Sequence, residues 1–532
     1  MNNILCAHNI LLSFYSNQTK NDMRKQLILA LAIGGLLVTG CTKDPLEDAA
    51  DFTSENLLID QQSDKLLTIK EINEYIDQSF YKNDSFDWAD APANVLWSAV
   101  VQGHNILTIG YGEKGDSYRT VGDRRLENEK EEILNIVANT SNKSRKDLRV
   151  LEDEILNLVD VEVTDLATIR ELRANPNVRY LEPNGYSFYE LKPLTGATQQ
   201  RSSSGCGMGG QTIQSTDYRT VSPNAKFSWT YDYHNIEQAW SKSTGTGVTV
   251  GVIDTGISNS QPLLSSKFDD AVSINSRTVQ KYGTFIDSPW WWSNNYDGPN
   301  DKCGHGTSMI STIAAPRNDE NRAVGVAYNC NIVSYRGTED VLLNDYHERK
   351  GVSNALIALG NRSDVKIISM SIGYPWSIGN VKDAVRYANN KGKLVFAAGG
   401  TSFNLTNWYP VIFPANMPEA VAVTGITDAP GYNQCDSCHD GNQIEFTIVM
   451  QRDNNNSRTG VTLGFYNSQD DYVGGSSVAT ATTAGIAALV WAKYPNWSKD
   501  QVLNRMRQSS ALYPNKDNNY GYGNIDANQA VQ

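Results

Sequence analysis

The chain has 532 residues, 40% of them hydrophobic, with 46 Lys and Arg against 59 Asp and Glu and a formal net charge of −13. That length can bury a large core and accommodates two or three domains. The acidic balance lacks the basic stripe that a phosphate backbone demands, so nucleic acid is excluded from the expected partners.

The first feature in chain order is a targeting segment. Met23-Arg24-Lys25 precedes an apolar run from Leu27 to Val38, too short for a transmembrane span and shaped like a signal peptide. The run ends Val38-Thr39-Gly40-Cys41, which resembles a bacterial lipobox. That resemblance implies lipidation of Cys41; an ordinary signal peptide with an incidental Cys is the plainer alternative. Residues 1–40 are read as leader, with Met23 as the expected start because residues 1–22 lack signal character. Asp44, Glu47, Asp48 and Asp51 resemble export tags of surface lipoproteins in some Gram-negative gut bacteria. The expected location is the bacterial cell envelope, lipid-anchored at the outer membrane, on either its periplasmic or its surface face.

Residues 41–104 read as a tether and N-terminal extension, with one helix-like patch from Ile69 to Ile76. Over 105–190 the pattern changes. A strand is predicted at 105–111, a helix from Leu126 to Val137, strands from Val150 to Leu156 and from Leu158 to Val163, a helix from Ala167 to Ala174 and a last strand from Val178 to Pro183. The order β-α-β-β-α-β is that of a small ferredoxin-like α+β unit. Residues 191–225 are rich in Ser, Gly, Thr and Gln and read as a linker.

Residues 226–532 carry the chemistry. The β-branched run from Val248 to Ile253 predicts a buried strand closed by Asp254-Thr255-Gly256. His305 stands between Gly304 and Gly306, in a chain with only 6 His. Runs from Ile367 to Gly373 and from Leu394 to Gly399 predict two strands around a helical pattern from Val381 to Ala388, hence a parallel pair. Ser477 opens a small-residue helix that continues to Trp491. A serine there can simply cap the helix, but it also sits where the helix's free amides can face a developing oxyanion. Ser476 is a rival nucleophile.

The strings Val252-Ile253-Asp254-Thr255-Gly256, Gly304-His305-Gly306-Thr307 and Gly475-Ser476-Ser477-Val478-Ala479 stand in the order Asp, His, Ser. In that order they resemble the motifs of subtilisin-like serine proteases, the subtilases. The resemblance covers roughly residues 235–532. It implies an α/β domain of three layers around a mostly parallel sheet. It also implies a catalytic set of Asp254, His305 and Ser477, and specificity-pocket walls at Ser371, Ile372 and Gly373 and at Ala397, Ala398 and Gly399. A peptide substrate would add to such a wall as a β-strand. Residues 177–184 resemble the end of a subtilase inhibitor propeptide, so 105–190 is expected to be one and the protein to be made as a zymogen.

The chain departs from the family in places. The family usually reads Ala-Ala-Gly-Asn where this chain has Ala397-Ala398-Gly399-Gly400. Gly400 therefore replaces the Asn that donates to the oxyanion, and the Ser477 amide is the donor expected to remain. Thr401, Ser402 or Asn404 could substitute, and Gly400→Asn is expected to raise turnover. Ala481 stands for a Pro and Ser308 for a second His. The interval from Thr427 to Gly474 is unusual and holds Cys435-Asp436-Ser437-Cys438-His439. It is read as a local disulfide; a metal site would need a further ligand.

The chain has 7 Cys. Cys6 and Cys41 fall in the leader, while Cys303, Cys330, Cys435 and Cys438 form an even set suited to an oxidising compartment. Cys206 is left over, and a Cys303–Cys330 bridge is expected to brace the catalytic loop. No metal or cofactor is called for, and structural calcium is left undecided. The expected function is a lipid-anchored serine endopeptidase, its partners a peptide or protein substrate, its own propeptide and the membrane through Cys41. The alternative is a pseudoprotease, a peptide-binding surface lipoprotein whose chemistry is weakened at Gly400.

Overall fold

A computed structural model describes residues 64–188 and 206–532, apart from 117, 120, 121, 275 and 402–409. Cys41 and the leader lie outside the described residues. Two sheets organise the rest within one compact unit. The small one is built from β1 (Ile106–Tyr111), β2 (Val150–Glu152), β3 (Leu158–Glu162) and β4 (Val178–Glu182), all antiparallel, in the order β2-β3-β1-β4. Helices Arg124–Thr140 and Leu166–Ala174 complete the β-α-β-β-α-β succession. The first starts where the Asp123 carboxylate accepts from the Arg125 and Leu126 amides, and it buries Leu126, Ile133, Leu134 and Val137 at helical spacing.

The stretch expected to be a tether is folded. Helix Ile69–Asn83 opens on a capping box between Thr68 and Glu71 and buries Ile72, Ile76 and Phe80, and a second helix runs Ala93–Gln102. Phe80, Phe86 and Phe188 surround Trp376 of the large domain with ring centroids 5.7, 5.1 and 5.2 Å away. Polar sequence between these aromatics gave the segment its linker-like appearance. Its apolar stripe packs on helix Ala93–Gln102 and, through Phe80, on Trp376.

After a hairpin of β5 (Tyr218–Val221) and β6 (Ala225–Ser228), the large sheet takes nine strands. They are β7 (Thr249–Asp254), β8 (Val279–Gly283), β9 (Asn331–Arg336), β10 (Val365–Met370), β11 (Leu394–Ala398), β12 (Val421–Thr427), β13 (Ile444–Arg452), β14 (Asn455–Leu463) and β15 (Asp470–Val473). The order is β15-β14-β13-β12-β11-β10-β7-β9-β8. It is parallel from β8 to β13 and antiparallel only where β14 and β15 extend it. The helices Tyr346–Asn361 and Gly379–Asn390 and the buried helix Gly475–Lys493 pack against this sheet, giving the expected three-layer α/β domain. The presumed linker also shortens. Residues 206–225 bind the large domain, with the Gln211 amide donating to the Asp470 carbonyl and β5 pairing with β6.

The two parts share one core, because residues of both sheets belong to a single apolar cluster. Polar contacts fix the register of the junction. Arg179 makes a buried ion pair with Asp383 at 2.7 Å, and Arg349 donates to the Asn184 and Tyr186 carbonyls. Glu182 accepts from the Gly379 amide at 2.7 Å, at the start of helix Gly379–Asn390. Burial pushes the Glu182 carboxyl up to about 7, against the Gly379 amide, which lowers it. The raised value means that the folded junction favours the protonated acid. Its contribution is full below the ordinary value of 4.5 and is lost as pH rises through about 7. Chemical denaturation of the full chain between about pH 5 and pH 8 should show this loss. Glu182→Gln should flatten it, and an unchanged pH slope in that variant would rule out Glu182 as its source.

Candidate active site

Asp254 ends β7 and is 1% exposed. Its Oδ1 accepts from the Thr255 amide and lies 2.8 Å from His305 Nδ1. His305 is the first residue of helix His305–Ala314. Gly304 before it has φ +95°, and a Cβ there would come within 2.3 Å of the Gly207 carbonyl oxygen, so only glycine fits this turn. Asp301 shapes the approach. Its Oδ1 accepts from Thr255 Oγ1 and the Cys303 and Gly304 amides, and its Oδ2 from the Thr307 amide and hydroxyl. Burial raises the Asp301 pKa, and these donors oppose the rise. Thr255 Oγ1 in turn accepts from the Gly306 amide.

Ser477 lies in the first turn of helix Gly475–Lys493. Its Oγ is 3.5 Å from the Ser371 carbonyl, and its own carbonyl accepts from Ser371 Oγ. Ser477 and His305 line one cavity of about 310 Å³, together with Ser371, Ile372, Gly373 and Ala398. The structure thus brings Asp254, His305, Ser477 and the end of β10 together. The other wall differs from the expectation. Ala397 packs away from the cavity among Val411, Ala415, Ala422 and Ile444, and the Gly399 amide donates to the Val423 carbonyl. From that side Ala398, Gly400 and Thr401 reach the cavity.

The edge expected to receive a peptide strand is partly engaged already. The Gly373 amide donates to the Val341 carbonyl, and the Gly373 carbonyl accepts from the Leu343 amide. Asp340 lies beside this segment. Burial raises its carboxyl, Glu339 and Asp345 add to the rise, and the Leu342 amide and His305 oppose it.

Gly400 is not an oxyanion donor of the expected kind. Its amide donates to Ser476 Oγ at 3.1 Å, and its φ is +128°. A Cβ at this position would come within 2.3 Å of His439 Nδ1. The turn therefore lacks room for an Asn side chain, and no gain in turnover follows from Gly400→Asn. Ser402 and Asn404 lie outside the described residues.

The cysteines pair differently from the expectation. Cys206 is joined to Cys303, two residues before His305, and Cys330 is buried and reduced. Counting Cys303, Cys330, Cys435 and Cys438 as an even set left Cys206 over in its Ser/Gly-rich stretch, but residues 206–211 return to the cavity rim, where Gly207 lines it. Cys435–Cys438 is a disulfide, which removes both thiols a metal reading requires. His439 instead sits 3.0 Å from the Pro410 carbonyl through Nδ1. Among the described residues no cluster of three His, Cys, Asp or Glu could hold a metal. The interval after Thr427 also reaches the cavity, through Gln451, Asn456, Thr459 and Asp471. The sequence marked that interval as unusual but gave no sign that it borders the site. Asp301 was missed as well, although an Asp just before a Gly-flanked turn is a recognisable loop-fixing signal.

The profile of the subtilase family (Peptidase S8) matches residues 245–523. Subtilisin E of Bacillus subtilis (strain 168) is 30% identical over 297 residues, which are 54% of this chain and 67% of that protein. The subtilisin of Bacillus pumilus is 30% identical over 297 residues, covering 54% of this chain and 92% of its own. Among solved structures, the MycP3 protease from the type VII (ESX-3) secretion system has a TM-score of 0.46 and 21% identity, covering 61% of this chain and 91% of that one.

A side chain at position 400 would add positive-φ strain of about 1–3 kcal/mol to the clash with His439. Gly400→Asn should therefore lower the melting temperature and fail to raise kcat. A variant as stable as wild type with higher kcat would show that this turn can open to admit the amide.

Proposed function

This chain belongs to the subtilase family of serine-type endopeptidases, and on that premise we propose that it cleaves peptide bonds through Asp254, His305 and Ser477. The observation that carries the reading is the buried 2.8 Å contact of Asp254 Oδ1 with His305 Nδ1, with Ser477 on the same cavity. Because Nδ1 is held by the carboxylate, Nε2 is the nitrogen left to act as base. It takes the Ser477 proton as Oγ attacks the peptide carbonyl carbon. The tetrahedral oxyanion forms beside the first turn of helix Gly475–Lys493, whose amides have no intrahelical acceptors. His305 then gives the proton to the leaving amine, and water releases the acyl group by the same steps in reverse.

Residues 105–190 act in this reading as an inhibitor propeptide, and the chain as a zymogen. Support comes from the junction of β4 with helices Tyr346–Asn361 and Gly379–Asn390 and from the anchoring of Cys206 beside His305. Processing then falls between about residues 185 and 205, since residues from Cys206 onward are held by the disulfide and by hydrogen bonds to β15. The chain is lipid-anchored to the bacterial envelope through Cys41, the lipobox cysteine.

Ser477→Ala should abolish hydrolysis and fluorophosphonate labelling and retain the unprocessed chain, whereas Ser476→Ala should leave detectable hydrolysis. Labelling that persists in Ser477→Ala would assign the wrong serine. A wild type that neither hydrolyses nor labels would leave a pseudoprotease. Identical processing in both proteins would assign maturation to another protease. Cys41→Ala should move the protein from the membrane to the soluble fraction. A variant that still pellets, beside a wild type that takes up no labelled palmitate, would defeat the lipoprotein reading.

A further inference from the structure

The loss of the family's Asn at position 400 leaves a question of donors, and the hydroxyls beside it answer it by proton counting. Ser476 Oγ accepts from the Gly400 amide at 3.1 Å. Thr401 Oγ1 accepts from the Ser476 amide at 3.2 Å. The two oxygens are 3.0 Å apart, so one hydroxyl proton bridges them. Two hydroxyls bring two protons and the bridge uses one, which leaves one donor spare.

Burial decides which hydroxyl keeps it. Both residues line the cavity, but Ser476 is fully buried while Thr401 is half-buried. A buried donor without an acceptor is costly, so Ser476 gives its proton to Thr401 Oγ1. The Thr401 proton then turns to the cavity. The surroundings hold the hydroxyl in place. Thr401 bridges to Cys438 through its backbone. Gly475 makes room for it, since a Cβ there would lie 2.6 Å from Thr401 Oγ1. The residue whose amide anchors Thr401 directly precedes Ser477.

We propose that the Thr401 hydroxyl is the second oxyanion donor of this enzyme, acting with the Ser477 amide in place of the absent Asn side chain. The assignment rests on the endopeptidase reading above. It makes Thr401 a catalytic residue that touches the oxyanion, and Ser476 the positioning residue that orients its proton.

The test measures kcat and KM of the full-length protein on a peptide substrate, together with the rate of fluorophosphonate labelling. Wild type, Thr401→Val, Thr401→Ser, Ser476→Ala and Ser477→Ala are compared. Loss of one such donor costs about 10²–10³-fold in turnover. Thr401→Val, which keeps the shape, should lose about 10²-fold in kcat with KM little changed, and labelling should slow in parallel. Thr401→Ser should recover most of that loss. Ser476→Ala should cost less than Thr401→Val, because the Thr401 proton survives. Wild-type kcat in Thr401→Val overturns the assignment. An equal loss in Thr401→Ser overturns it too, since packing would then explain the effect. A larger loss in Ser476→Ala than in Thr401→Val overturns it in favour of the serine hydroxyl. Where Thr401→Val does not fold, a loss in Ser476→Ala as large as that of a missing donor, about 10²-fold, overturns it in the same way. A wild type with no Ser477-dependent hydrolysis fails at the endopeptidase reading itself, and the donor assignment falls with it.

Discussion

Asp301 is 4% exposed, and its two oxygens accept five hydrogen bonds from the turn that carries His305 and from the end of β7. Thr255 from the end of β7, the amides of Cys303 and Gly304, and both donors of Thr307 converge on it. A carboxylate at this depth is tolerated only when its oxygens are fully used, and removing it would strand five donors at once. The same carboxylate therefore binds the strand that ends in Asp254 to the helix that starts with His305. Their 2.8 Å contact follows from that arrangement, because neither element can shift without breaking bonds to Asp301. The Cys206–Cys303 disulfide adds a covalent tie to the same turn.

The N-terminal module is bound by other means. Its sheet and helices merge their apolar cluster with that of the large domain, and the Arg179–Asp383 pair is buried at the seam. A buried pair is weak evidence for net stability, but breaking it by removing one partner is costly. Such a pair fixes where the module sits more than how tightly it is held. Trp376 is part of the apolar share, ringed by Phe80, Phe86 and Phe188. Trp376 follows Gly373 closely in the chain, so module packing and the cavity edge lie on the same short segment.

The insertion after Thr427 belongs to the same economy of space. β13 continues the parallel sheet and β14 and β15 extend it as antiparallel strands, and residues of all three line the cavity. His439 from this insertion occupies the volume that a side chain at position 400 would need. The glycine in the motif and the inserted loop thus answer each other. With no side chain at 400, the amide there binds Ser476 Oγ.

The sequence by itself determined what depends on local pattern. Apolar, β-branched runs marked the strand that ends in Asp254 and the strand that leads into Ser371–Gly373, small-residue helical spacing marked the helix that carries Ser477, and the succession over 105–190 marked a β-α-β-β-α-β unit. Helical and strand periods are written within about ten residues, and the three motif strings are contiguous. Tertiary structure alone decided the rest, because each remaining feature joins residues far apart in the chain. Cys206 meets Cys303 across 97 residues, and spacing cannot say which of several thiols a returning loop will bring close. The Val341–Leu343 segment meets Gly373 through backbone groups, which carry no side-chain signature. The extension before residue 104 looked like a tether because its apolar stripe is short, and its burial draws on Trp376, nearly three hundred residues on, as well as on the neighbouring helix Ala93–Gln102.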